Sequence, residues 1–94
     1  MVILRIEHHV QDYDGWKKLF DSDPIGRKKL GVQHYRIFRP TNDPKYVIID
    51  LEFLNLDNAE AALTALRNLW GQVEGKAIFN PQARVIDLVE YNKV

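Results

Sequence analysis

Two adjacent histidines close the first apolar run of this chain, in the stretch "RIEHHVQDYDGW" at residues 5–16. Imidazole titrates near neutral pH, so either side chain is a candidate acid, base or metal ligand. The residues around them alternate between apolar and polar, which is typical of a strand, and neighbouring strand residues point to opposite faces of the sheet. His8 and His9 are therefore predicted to belong to separate sites and not to share one metal ion.

His8 is the candidate catalytic residue, as a general base or hydrogen-bonding group in an aromatic cavity. Alternation places it on the side of the strand that the helices cover. Four aromatic residues are predicted to surround a substrate there: Tyr13, Trp16, Phe20 and Trp70. An apolar enclosure with one polar centre is the usual composition of a small-ligand pocket. The alternative is a buried histidine bonded to a backbone carbonyl, beside tryptophans that only fill the core.

The opposite face of the sheet is predicted to carry matched charges. Its candidate interface residues are His9, His34, Arg36, Asp50 and Glu52. The hairpin register places Arg36 opposite Asp50 and His34 opposite Glu52, and each such pair stabilises the sheet by about 0.2 to 1 kcal/mol. Two carboxylates and an imidazole also suit Zn²⁺, but their spacing matches no metal motif and Arg36 would repel the ion. Ion pairs at a subunit interface are favoured, with no metal.

Three helical segments are expected between the strands. Asp12 can cap a helix that begins after a strand at residues 2–10. After a break near Ser22 and Asp23, a short helix is predicted to begin at Pro24 and to end at Gly31. Its basic cluster, residues 27–29, is interpreted as a solvated helix end. A longer helix is predicted from a cap at Asp57 to Gly71.

The remaining segments complete an alternating order. Residues 32–39 and 45–54 are predicted to form a hairpin around the turn "PTNDP". Residues 71–81 are predicted to form a loop and residues 85–91 the last strand, with Asn80 and Arg84 near the edge of a pocket. The order β-α-β-β-α-β is that of the ferredoxin-like fold, an α+β class in which a four-stranded antiparallel sheet carries its helices on one face.

The composition argues against several classes of protein. Ninety-four residues predict a single domain, residues 1–94. Thirteen basic and 13 acidic side chains cancel, and "KYVIIDLEF" lacks the glycine and aromatic positions of an RNA-recognition domain, so no nucleic-acid partner is expected. The absence of cysteine excludes disulfides and thiolate sites. With no long apolar run and early charges at Arg5 and Glu7, no membrane association is expected, and the location is predicted to be cytoplasmic.

Three stretches carry a resemblance to a known group: "EHHVQDYDGWKKLFD", "GVQHYRIFRPTNDPKYVIIDLEF" and "ALRNLW". Over nearly the whole chain they resemble the dimeric α/β-barrel superfamily, and within it small cyclase-like bacterial proteins related to antibiotic biosynthesis monooxygenase domains. The resemblance implies a homodimer in which two sheets meet to form a barrel. It also implies a pocket between sheet and helices that binds a polyaromatic or haem-like substrate without a cofactor. The Asn often found on the first strand of these relatives has no clear counterpart here.

Two functions follow as hypotheses. In the first, a small homodimer binds an aromatic or polycyclic metabolite and acts as a cofactor-independent monooxygenase or a cyclase-like enzyme. In the second, the dimer binds a small ligand without catalysis or has only a structural role. Fold resemblance alone supports the chemistry of the first hypothesis.

Overall fold

The computed structural model describes all 94 residues and shows the predicted order of elements. Their bounds are β1 Val2–Val10, α1 Tyr13–Asp21, β2 His34–Phe38, β3 Tyr46–Phe53, α2 Leu56–Val73 and β4 Ile78–Asp87. All four strands pair antiparallel in one sheet, in the order β2-β3-β1-β4. The predicted ferredoxin-like fold is therefore confirmed.

The hydrophobic core lies between one face of the sheet and the two helices. Its buried members are Leu4, Ile6, Val10, Trp16, Val47, Ile49, Leu51, Phe53, Ala59, Ala62, Leu66, Trp70 and Ile78. The strand members alternate in sequence, because successive strand residues point to opposite faces. The other face of the sheet, here called the open face, has no helix over it within the chain.

Asp12 begins α1 as predicted. Its side chain accepts a hydrogen bond from the backbone N–H of Gly15 at 2.8 Å, which satisfies one of the free donors at a helix start. Trp16 is the single buried residue of α1, whereas α2 buries four residues. The first helix is therefore anchored to the core less extensively than the second.

The segment between α1 and β2, residues 22–33, is not helical, so the predicted helix at residues 24–31 is wrong. The chain forms successive turns there. Asp23, Gly26 and Gly31 have φ angles of 55°, 71° and 91°, which lie outside the right-handed helical region. The Asp23 side chain still accepts a hydrogen bond from the backbone N–H of Arg27 at 2.8 Å. This linker is called the 22–33 segment below.

The second helix begins before the predicted cap and continues past the predicted stop. Asn55 is the N-cap, with an extended backbone and a side chain that accepts from the Asn58 N–H at 2.8 Å. Asp57 instead lies in the first turn, where a carboxylate suits the positive end of the helix. The helix passes through Gly71 to Val73, because an interior glycine weakens a helix by only about 1 kcal/mol.

The last strand begins seven residues earlier than the predicted one and ends at Asp87. The glycines and Pro81 within residues 71–81 predict a loop there. β4 is an edge strand, and proline is tolerated at an edge because no neighbour requires its missing N–H. The predicted strand at residues 85–91 is correspondingly wrong at its end, since residues 88–91 leave the sheet.

A bulge in β4 lies opposite His8. Glu7 pairs with Gln82 and His9 with Phe79, so two residues of β4 face one residue of β1. The first of these two, Asn80, has a φ of 52°, a left-handed conformation that asparagine adopts more readily than most residues. Bulges of this kind bend the strand and redirect side chains.

The hairpin of β2 and β3 has the predicted register with shorter strands than residues 32–39 and 45–54. Arg36 pairs with Asp50 and His34 with Glu52. Both pairs lie on the open face.

Neither helix combines the length and the apolar character that crossing a membrane would require.

Candidate functional site

A cavity lies between the sheet and the helices, with a volume of about 60 Å³. Strands, both helices and the 22–33 segment contribute to its walls: Ile6, Trp16, Leu19, Phe20, Pro24, Ile25, Arg27, Ile49, Leu51, Leu66, Leu69, Trp70, Val73 and Ile78. Pockets for drug-sized ligands occupy about 300 to 1,000 Å³. A polycyclic ligand would therefore fit only if the walls moved apart.

Aromatic side chains form a continuous row along α1 and onto β2. Ring centroids lie 5.8 Å apart for Tyr13 and Trp16, 5.3 Å for Trp16 and Phe20, and 5.1 Å for Phe20 and Tyr35. These separations fall within the range of favourable aromatic pairs. Trp16 and Phe20 line the cavity, whereas Tyr13 contacts Trp16 from outside the lining.

Arg27 is the one charged residue that lines the cavity. Its guanidinium carbon lies 4.0 Å from the ring centroid of Phe20 and 5.1 Å from that of Tyr35. Nη1 donates a hydrogen bond to the carbonyl oxygen of Phe20 at 2.7 Å, and it lies 3.6 Å from Oδ1 of Asp23. Stacking on two rings and bonding to the end of α1 hold the guanidinium in place.

His8 is buried at the end of β1, with 3% of its surface exposed. Nδ1 lies 3.1 Å from the carbonyl oxygen of His9, to which it donates when the proton is on that nitrogen, and Nε2 then carries a free lone pair. Burial lowers the pKa of His8 below its ordinary value of 6.5, against a smaller opposite effect of the His9 carbonyl. The neutral imidazole packs edge-on against Trp16, with centroids 5.9 Å apart.

His8 does not line the cavity, but it packs against Trp16, which does. The structure therefore brings three of the predicted substrate-binding aromatics, Trp16, Phe20 and Trp70, to the cavity wall and leaves His8 and Tyr13 one contact away.

A buried carboxylate is the centre of the open face. Asp50 is only 1% exposed, and Arg5 donates to both of its oxygens, Nε to Oδ1 and Nη2 to Oδ2, each at 2.8 Å. Arg36 Nη2 lies 3.5 Å from Oδ2. The hydrogen bonds from Arg5 lower the pKa of Asp50, and they outweigh the opposite effect of burial. Asp50 is therefore ionised at neutral pH and is covered by guanidinium groups.

Glu52 has a similar environment. Arg36 Nη1 donates to Oε1 of Glu52 at 2.6 Å, and Nδ1 of His34 lies 3.4 Å from Oε2. The carboxylates of Asp50 and Glu52 are thus paired with arginines of their own chain. No group of three His, Cys, Asp or Glu side chains is arranged to hold a metal ion.

A second cluster of polar side chains lies nearer the C-terminal end of β1 than the pair of Arg5 and Asp50. The hydroxyl of Tyr46 donates to Oε1 of Glu7 at 3.0 Å, and burial, followed by this bond, raises the pKa of Tyr46. The His9 ring packs edge-on against Tyr46 at 4.7 Å, and its Nε2 lies 3.7 Å from Oδ2 of Asp43. All five predicted interface residues are therefore on or beside the open face.

Two residues of these sites were missed by sequence reasoning. The sequence pattern predicts a helix in this segment and places Arg27 at its solvated end. Arg5 is not among the predicted interface residues, because the β2 and β3 register by itself pairs Asp50 with Arg36. The β1 and β3 register pairs Arg5 directly with Asp50, and alternation in both strands could have indicated it.

No protein-family model and no curated protein sequence matches this chain. Solved structures do match it. A Deinococcus radiodurans protein provisionally described as an antibiotic biosynthesis monooxygenase has a TM-score of 0.69 and 14% identity, over 100% of this chain and 98% of that one. A variant of MhuD, with two manganese protoporphyrin IX molecules bound per active site, has a TM-score of 0.66 and 13% identity over 100% of both chains.

A third structure, a dimeric ferredoxin-like protein from an uncultured marine organism, has a TM-score of 0.64 and 13% identity over 97% of this chain and 96% of that one. At identities this low, the matches show a shared fold and not a shared activity. The predicted resemblance is confirmed at that level: the chain has the ferredoxin-like fold found in antibiotic biosynthesis monooxygenase-like proteins.

Proposed function

We propose that this chain binds a flat aromatic or polycyclic metabolite between its sheet and helices, as a homodimer joined through the open face. The observation that carries the proposal is the cavity lining, in which 12 of 14 residues are hydrophobic and one is a cation. Trp16, Phe20 and Trp70 place aromatic rings in the cavity wall, which suits packing against a planar ligand. The MhuD variant, which has the same fold, holds two manganese protoporphyrin IX molecules per active site.

Ligand binding requires the cavity to widen, and α1 with the 22–33 segment is the wall best suited to move. Only Trp16 of α1 is buried, against four residues of α2. The 22–33 segment has no regular structure and contributes Pro24, Ile25 and Arg27 to the lining. Segments with few buried contacts open at lower free-energy cost than the core.

A catalytic role for the site rests on His8. Proton removal from a phenolic or enolisable ring would begin either a cofactor-independent oxygenation or a cyclisation, and a neutral histidine with a free Nε2 lone pair is suited to accept that proton. The bulge of β4 opposite His8 is a feature that often occurs beside active sites. Movement of Trp16 during ligand binding would expose His8 to the bound ring.

Binding is tested by titrating 1,8-dihydroxyanthraquinone and haemin against tryptophan fluorescence. Trp16 and Trp70 both line the cavity, so we expect saturable quenching. Leu69→Phe fills part of the cavity and should weaken binding at least tenfold. Leu63→Phe is the matched control, because Leu63 is a half-buried residue of the same helix outside the lining. Quenching that never saturates, or is equal in both variants, would contradict the proposal.

Catalysis is tested separately with His8→Gln on whichever probe binds. If His8 is the base, product formation under air falls by a factor of about 100 to 10,000 while the dissociation constant changes little. The alternative function, a ligand-binding or structural dimer without catalysis, predicts no product from the wild-type protein or from His8→Gln.

A further inference from the structure

Arg27 places a positive charge in the wall of a cavity that is otherwise apolar. Every other lining residue is apolar, so a ligand held by these walls alone would need no cation. The Arg27 side chain is only 16% exposed, which removes much of the water that would otherwise weaken its attraction for an anion. It also lines the adjoining surface groove with Lys28 and His34. The cation therefore lies where the cavity meets this groove.

The guanidinium retains hydrogen-bonding capacity. It has five N–H donors, and its one hydrogen bond in the chain is from Nη1 to the carbonyl oxygen of Phe20. Nε and Nη2 have no partner within the chain. Its nearest carboxylate, Asp23, lies 3.6 Å from Nη1, outside hydrogen-bond distance. Asp23 directs Oδ1 to the backbone N–H of Arg27 instead, at 2.8 Å.

We propose that Arg27 binds the carboxylate of an acidic aromatic ligand whose rings occupy the cavity. The inference rests on the proposed function and names the ligand class: planar, apolar over its rings, and anionic at one end. Phe20 and Tyr35 hold the guanidinium by stacking, while Nε and Nη2 are available to carboxylate oxygens. A planar guanidinium matches a carboxylate with two parallel N–H donors, which an ammonium group cannot reproduce.

The test compares three probes of nearly equal size: 2-naphthoate, its neutral amide 2-naphthamide, and the cation 2-naphthylmethylammonium. Dissociation constants are measured by calorimetry at low salt. The proposal predicts that naphthoate binds about tenfold more tightly than naphthamide and that the ammonium binds most weakly. Equal binding of naphthoate and naphthamide would overturn the inference while leaving the cavity function intact. If no probe bound, both would fail.

Arg27→Gln should remove the preference for naphthoate and leave the affinity for naphthamide within about threefold of the wild-type value. Lys29→Gln is the control, because Lys29 is an exposed cation two residues away that lines neither the cavity nor the groove. A preference that persists in Arg27→Gln, or disappears equally in Lys29→Gln, contradicts a specific role for Arg27.

Asp23→Asn supplies a test that loss of folding cannot imitate, because it predicts a gain. Asparagine tolerates the positive φ of residue 23 and keeps an oxygen for the Arg27 N–H. It removes the negative charge that competes with a ligand carboxylate. Naphthoate should bind severalfold more tightly to this variant and naphthamide equally well. Unchanged or weaker naphthoate binding would overturn the assignment of Arg27 as the carboxylate site.

Discussion

Three ionisable side chains are buried in this chain, and two of them have partners of opposite charge. Asp50 and Glu52 bind arginines on the open face, so their burial is offset by charge-assisted hydrogen bonds. His8 has only a backbone carbonyl and an aromatic neighbour. It is therefore held neutral, and protonating it in the folded state would place an uncompensated charge in the core.

The protonation of His8 predicts a loss of stability in mild acid. Because its folded pKa lies below the unfolded value of 6.5, the unfolded chain binds more protons between those two values. The full contribution to stability is present above pH 6.5 and is lost as pH falls through that window, by at most about 1.4 kcal/mol per pH unit. Urea unfolding between pH 7.5 and 5 should show a shallower pH dependence for His8→Gln than for the wild type.

His34→Gln is the matched control for this experiment. It also replaces an imidazole, but the His34 side chain is 76% exposed whereas His8 is buried. The same slope in His8→Gln and the wild type would show that His8 is not held neutral by burial.

Elements with strong periodic patterns were predictable from the sequence, and those shaped by single backbone angles were not. β1 and the hairpin alternate clearly, and Asp12 is an unambiguous cap. The 22–33 segment contains good helix formers, yet positive φ angles at Asp23 and Gly26 turn the chain away from a helix. Residue identity permits such angles without requiring them, which is why pattern alone indicated a helix.

The candidate site was also predictable only in part. Trp16 and Trp70 could be placed against the sheet from helical spacing, because an apolar stripe must face the core. Arg27 could not be placed at the cavity, because its position depends on how the 22–33 segment folds back on Phe20. The bulge opposite His8 depends on the left-handed Asn80 and an edge-strand proline, which the sequence alone had suggested to be part of a loop.

The corrected start of α2 gives a prediction at the scale of an element. Asn55→Ala removes the acceptor for the Asn58 N–H and should lower the free energy of unfolding by about 1 kcal/mol. Asp57→Ala removes only a favourable charge in the first turn, worth about 0.3 to 1 kcal/mol at low salt. Urea unfolding of both variants at 20 and 500 mM salt distinguishes them, because salt should reduce the Asp57 effect and not the Asn55 effect. A larger, salt-independent loss in Asp57→Ala would identify Asp57 as the cap.

At the scale of the whole molecule, the open face is unusual for a surface that meets only water. It combines buried carboxylates, paired with partly exposed arginines, with large apolar side chains, since Phe38 is 42% exposed and Phe79 is 36% exposed. An antiparallel sheet with one face toward water usually carries polar side chains on that face, whereas exposed large apolar side chains mark an interaction surface. Because the carboxylates of Asp50 and Glu52 are occupied within the chain, a second copy would contact mainly guanidinium, imidazole and aromatic groups.

Ile48→Lys tests whether the open face joins two copies. Ile48 is half-buried there, opposite Phe38 on one neighbouring strand and Glu7 on the other. The introduced lysine gains Glu7 as a neighbour within its own chain, so we expect the protomer to fold. A two-fold interface would contain the substitution twice, and losing about 1.5 to 3 kcal/mol of apolar burial at each site should weaken the dimer more than tenfold.

Sedimentation velocity over a dilution series measures the change in dimer stability. Leu54→Lys is the control, because Leu54 follows β3 and is already 73% exposed. A wild-type protein that sediments as a monomer, or an Ile48→Lys dimer as tight as the control, would contradict dimerisation through this face.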